Sequence, residues 1–147
     1  MLGARNRIGL SAQQIDKCIA AWAVLCGDRP RVLDTSEAME HGSRTRFVQD
    51  RHVVILGADA YPGSGTSANS RMSMLACLAH ELAHVEWFEL GYRRPFDAPD
   101  SFIDEAETSL RASFTSVLSP RDREDLIEDA RDRLIDWLAA RNKGYQT

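Results

Sequence analysis

Residues 70–90 read as one long helix, and that helix carries two histidines four positions apart in Ala79-His80-Glu81-Leu82-Ala83-His84. Positions i and i+4 of an α-helix share a face, so both imidazoles can reach one metal ion. Glu81 is turned about 100° from His80, which keeps it out of that pair as a ligand. It stands instead where it can take a proton from a metal-activated water. Met74 and Leu78 before the motif, with Val85 and Phe88 after it, make the helix amphipathic.

A third ligand has to come from elsewhere in the chain. No histidine follows His84, and Trp87 and Leu90 exclude the three-histidine extension of this motif. Cys77 lies less than one turn before His80, too near to act independently. His41 and His52 stay open, although His52 falls in a strand-like alternation. A downstream carboxylate completes the His2Glu set of catalytic zinc most simply, leaving one position for water. Three acids stand at the head of a helix read from Ser101 to about Leu118: Asp104, Glu105 and Glu107. Asp104 follows Ser101 by three and suits a helix cap. Glu105 heads a face of small residues, Thr108, Ser109, Ala112 and Ser113, which lets another helix come close. Ile103, Ala106, Leu110, Phe114 and Val117 are then expected in the core, and Glu107 lies nearer that bulky side. Helical phase ranks Glu105 first, Glu107 second and Asp104 third.

The remaining chain frames these elements. Ser11 to Cys26 is a helix with a Ser11–Gln14 capping box, an apolar face of Ile15, Cys18, Ile19, Trp22 and Cys26, and Gly27 as its stop. Arg31–Leu33 is expected to form a short strand, and 45–49 and 52–56 two strands around a tight Asp50-Arg51 turn. Gly57 to Asn69, rich in Gly, Ser, Ala and Pro, is expected to be a mobile connection. Ser119-Pro120 caps a last helix with a stripe of Leu126, Ile127, Ala130, Leu134, Trp137 and Leu138. Its many charged residues read as a solvated, salt-bridged face.

At 147 residues the chain suits a single domain over 1–147. Eighteen basic and 22 acidic residues leave a net charge of -4, which argues against a nucleic-acid-binding module. No stretch suits a membrane span, and Met1 to Leu10 lacks the apolar core of a signal peptide. The three cysteines, Cys18, Cys26 and Cys77, fit small thiols of a reduced, cytoplasmic protein better than a disulfide scaffold.

Asp104-Glu105-Ala106-Glu107-Thr108, about twenty residues beyond the histidine motif, resembles the ligand stretch of the gluzincin metallopeptidases. The small size and the hairpin before the motif helix are similar to the ImmA/IrrE group, whose members cleave repressors in stress responses and mobile-element control. Aligning Leu118-Ser119-Pro120 on that group's downstream run favours Glu107 as the ligand. The resemblance implies a minimal zincin-like α+β domain, with a small sheet or hairpin packed on a helical core. It implies a Zn2+-dependent peptidase with His80, His84 and Glu105 on the metal and Glu81 as general base. A protein or peptide is the expected substrate, with a regulatory protein as further partner. Tyr92, Tyr61 and His52 are the candidates to stabilise the oxyanion. Two other readings stand beside this one. One is a zincin-fold binding protein without turnover. The other is a four-helix carboxylate metal protein, since Glu81-x-x-His84 is also an E-x-x-H pair; against it, the first helix offers only Asp16 and the last no histidine.

Overall fold

The computed structural model describes residues 4–144; the parts of the leader and domain-boundary readings that fall on 1–3 and 145–147 lie outside the described residues. The protein is α+β, with five α-helices and a small three-stranded mixed sheet among the described residues. α1 (Ala12–Cys26) starts on the expected capping box: Ser11 Oγ accepts from Gln14 N at 3.1 Å, and Gln14 Oε1 accepts from Ser11 N at 2.9 Å. Gly27 ends it at φ +60°, a conformation that a side chain would strain. Ile15, Cys18, Trp22 and Cys26 are buried, whereas Ile19 is exposed.

The sheet has the order β1-β3-β2, with β1 (Leu33–Asp34) parallel and β2 (Arg46–Val48) antiparallel to β3 (Val53–Ile55). Every residue of β3 is buried, as befits a strand with neighbours on both sides. The first strand begins later than its expected position, 31–33. The expected tight turn is a 3-10 turn over Gln49–Arg51, closed by His52 in the left-handed region at φ 51°.

Two expectations about the next segment fail for identifiable reasons. The connection from Gly57 to Asn69 is tied down, because Arg5 spends its guanidinium on backbone carbonyls of Asp59, Ala60, Asn69 and Met72 at 2.5–2.7 Å. The chain also passes very close there. A Cβ at Gly63 would fall 2.0 Å from the Ala4 carbonyl oxygen. The long helix expected from Ser70 is two helices, α2 (Ala68–Arg71) and α3 (Met74–Glu89). Met72 turns extended between them (ψ 135°), and Ser73 caps α3 by accepting from Ala76 N at 3.1 Å.

α4 (Asp100–Ala112) is shorter than read, ending before the turns of 113–118. It has no side-chain cap, so Asp104 does not play the capping role assigned to it. α4 packs against both α3 and α5 (Pro120–Gly144). Thr108, Ser109, Ala112 and Ser113 are buried in that wedge, as their size requires of a helix held between two others. Leu110, Phe114 and Val117 were expected inside and are exposed, Phe114 at 85%. On α5, Leu126 and Ala130 are buried, whereas Ile127, Leu134 and Leu138 of the expected stripe face water. One apolar core joins α1, the sheet and α3; a second joins α3, α4 and α5. No helix among the described residues is long and apolar enough to cross a membrane.

Candidate metal centre

A cleft of about 700 Å³ opens between the sheet edge at β2, α3, α4 and α5. On its floor, α3 presents His80 and His84 from adjacent turns, both buried. α4 crosses opposite on its small face and presents Glu105. Glu105 Oε2 lies 3.0 Å from His80 Nε2, and Glu105 Oε1 lies 3.0 Å from His84 Nε2. Ligand atoms of these three residues all fall within 4.8 Å of one another, a group that could hold a metal ion. Glu107 is exposed on the far side of α4. Asp104 is buried beside Arg94, whose Nε is 3.5 Å away, and burial raises its pKa.

The proton positions around the rings follow from their partners. Ser109 Oγ donates its single proton to Asp129 Oδ2 at 2.7 Å, so at 2.8 Å it accepts from His80 Nδ1–H. Thr108 Oγ1 donates to the Asp104 carbonyl at 2.7 Å and accepts from His84 Nδ1–H at 3.3 Å. Both Nε2 atoms are thereby aimed at Glu105. Burial pushes His84 down to about 4, leaving its ring neutral and its Nε2 lone pair facing a carboxylate oxygen. Burial opposes the charge on His80 as well, but Glu105 outweighs it and raises that ring above its ordinary value. Burial also works against ionising Glu105, yet its contact with His80 holds it well below the usual carboxylate range. A lone pair facing an anion at 3.0 Å is repulsive unless a cation sits between them. The donor set therefore fits a metal ion in number, type and aim.

Glu81 lines the same cleft, one position round the helix from His80. Its Oε2 is buried without a hydrogen-bond partner, and burial raises its pKa to about 7. Such an oxygen suits a water held in the cleft. Two arginines close the floor. Arg94, from the loop before α4, bonds Glu105, and Arg133 of α5 lies 3.6 Å from Glu105 Oε2 while its Nε holds Asp129 at 2.9 Å.

His52 pairs with Glu89 at 3.2 Å, Tyr61 Oη reaches the Gln14 carbonyl at 3.4 Å, and neither they nor Tyr92 line the cleft. His41 does not line it either. Cys77 does, but burial pushes its pKa up to about 12, so it stays a thiol. Asp129 and Arg133 were read as part of a solvated helix face. Their i,i+4 spacing gave no sign that they turn inward, although the neighbouring buried Leu126 and Ala130 share that side of α5. No family model, curated protein or solved structure matches this chain.

Proposed function

We propose that this chain is a zinc-dependent peptidase of the gluzincin type, acting on a protein substrate. One observation carries the reading: two imidazole Nε2 atoms and a carboxylate come together beside a buried, unpartnered Glu81 oxygen. When bound there, a zinc ion would activate a water at neutral pH and polarise the substrate carbonyl. Glu81 takes the proton of the attacking water and returns it to the leaving amine. Arg133, braced by Asp129, supplies positive charge on the cleft floor where negative charge grows on the carbonyl oxygen. The outer edge of β2, which has no partner strand among the described residues, meets the cleft at Arg46 and suits pairing with an extended peptide, which fixes the scissile bond without reading side chains. A regulatory protein as target fits the resemblance to the ImmA/IrrE group.

Purified protein should carry close to one zinc per chain by elemental analysis, and His80→Ala or His84→Ala should lose it. Glu81→Gln should keep the zinc and lower cleavage of a verified substrate by about 10²–10⁴-fold, the usual worth of general-base catalysis. Protein that cannot be loaded with zinc would end this reading. Full zinc loading with wild-type and Glu81→Gln chains indistinguishable on every substrate would favour a binding protein without turnover.

A further inference from the structure

Resting on the peptidase reading, we propose that the cleft selects an acidic segment of its substrate, read at the rim by Arg7, Arg44 and Arg46. The chain as a whole is acidic, with a net charge of -4, so a cationic cleft mouth runs against its background. Apart from Glu81, which is buried on the floor, the acids that line the cleft are committed within it. Asp59 accepts from Thr45 N, Glu105 faces the two histidines, and Asp129 holds Ser109 and Arg133.

The cations of the cleft fall into two sets. Arg5 and Arg94 are spent on internal acceptors, and Arg133 is braced on the cleft floor by Asp129. Arg7 and Arg44 line the cleft, are exposed, and have no hydrogen bond or ion pair to their guanidinium groups among the described residues. Arg46 donates to the Arg44 carbonyl at 2.9 Å, and its one ion pair among the described residues is with Glu37 at 3.3 Å, in a pair whose side chains are 44% and 35% exposed. Water and salt weaken such a pair, so a substrate carboxylate can compete for Arg46.

Placement makes these charges selective. Arg44 and Arg46 stand two positions apart where the chain enters β2, the strand whose outer edge has no partner strand among the described residues. A peptide extended along that edge repeats its side chains with the same two-residue period. Acidic residues at alternate positions then meet Arg44 and Arg46 together, and opposite charges across neighbouring strands attract. Arg7 extends the positive rim from the N-terminal segment, beside Gly42.

The test measures binding apart from cleavage. The zinc-loaded full chain bearing Glu81→Gln is titrated into three fluorescein-labelled pools of short random peptides, with Glu, Gln or Lys fixed at alternate positions. Fluorescence anisotropy should give the Glu pool about tenfold tighter binding than the Gln pool at low salt, with the Lys pool weakest, and the preference should shrink as salt rises. Arg7→Gln with Arg44→Gln should bring the Glu and Gln pools within about twofold, whereas the Lys replacements at both sites should keep the preference. The unfolding temperature should not move, because neither guanidinium holds anything in the fold. Equal affinity for the three pools, no binding by any, or a preference that survives the Gln replacements would overturn the proposal. A single-stranded oligonucleotide of equal charge that binds as tightly as the Glu pool would also overturn it, in favour of a general polyanion groove. Cleavage of neutral peptides by wild type would then leave the peptidase reading standing. Conversely, acid-selective binding without turnover by wild type would remove the peptidase reading and keep this one.

Discussion

Ser109 and Thr108 touch no metal, yet each settles which nitrogen of a histidine carries the proton. Each hydroxyl has one proton, already given to Asp129 Oδ2 or to the Asp104 carbonyl, and so offers its ring only a lone pair. Removing either acceptor frees the ring to rotate or to take the other tautomer. Ser109→Ala and Thr108→Val should each weaken zinc binding about 10–100-fold in competition with a chromophoric chelator, with the fold intact. Glu105→Gln should cost more than either. Glu107→Gln should leave affinity almost unchanged, because that side chain is exposed. Asp104→Asn should lower the unfolding temperature more than it lowers zinc affinity, through its buried contact with Arg94. Equal losses from Glu105→Gln and Glu107→Gln would show that the donor set has been assigned to the wrong turn of α4.

Single side chains fix where the elements stop and meet. Ser73 starts α3 about two turns before His80, and Ser73→Ala should destabilise the fold by about 1 kcal/mol in urea titration. Arg5→Met should cost at least ~3 kcal/mol, since it leaves carbonyls of four residues without their charged donor. Much of this level was legible in the sequence. The Ser11–Gln14 box, the hairpin, the Ser119-Pro120 start and the shared face of His80 and His84 follow from short-range rules of spacing and capping. The small face of α4 was legible too, and with it Glu105. What escaped needed knowledge of neighbours. Leu110 and Phe114 look like core residues, but α4 is wedged between two helices along its small side, which leaves its large side outward. Arg5 lies in a polar, unpatterned segment, and its partners are backbone carbonyls 54 to 67 positions away, which no spacing rule can find. Asp129 and Arg133 were hidden by the number of other charges on α5.

Across the whole molecule, the two apolar cores are joined at α3, whose C-terminal end is fastened to the segment after α1 by Glu89. Its carboxylate takes two bonds from Arg31, the closer at 2.7 Å, with both side chains about nine-tenths buried. Those bonds hold Glu89 below its ordinary value. Folding therefore favours its ionised form: the contribution is complete above the unfolded carboxyl pKa of ~4.3 and fades as pH falls through the lower folded value. Glu89→Gln should destabilise the protein at neutral pH by about 1–3 kcal/mol and flatten the fall of unfolding temperature as the pH drops below ~4.3. An unchanged acid slope would exclude Glu89 as its source. Stripping metal with a chelator should also lower the unfolding temperature, by an amount set by free zinc, about 2.7 kcal/mol at a hundred times the dissociation constant. The order of the parts along the chain carries one more consequence. His80 and His84 come first, Glu105 follows, and the Asp129 that braces both Ser109 and Arg133 comes last, on a helix that starts at Pro120. A ribosome-bound chain stopped within α4 holds all three residues of the candidate metal group but not the brace behind them. On the proposed peptidase reading, competence would be deferred until translation has passed α5, and a newly made molecule would spare its neighbours while it is still being synthesised.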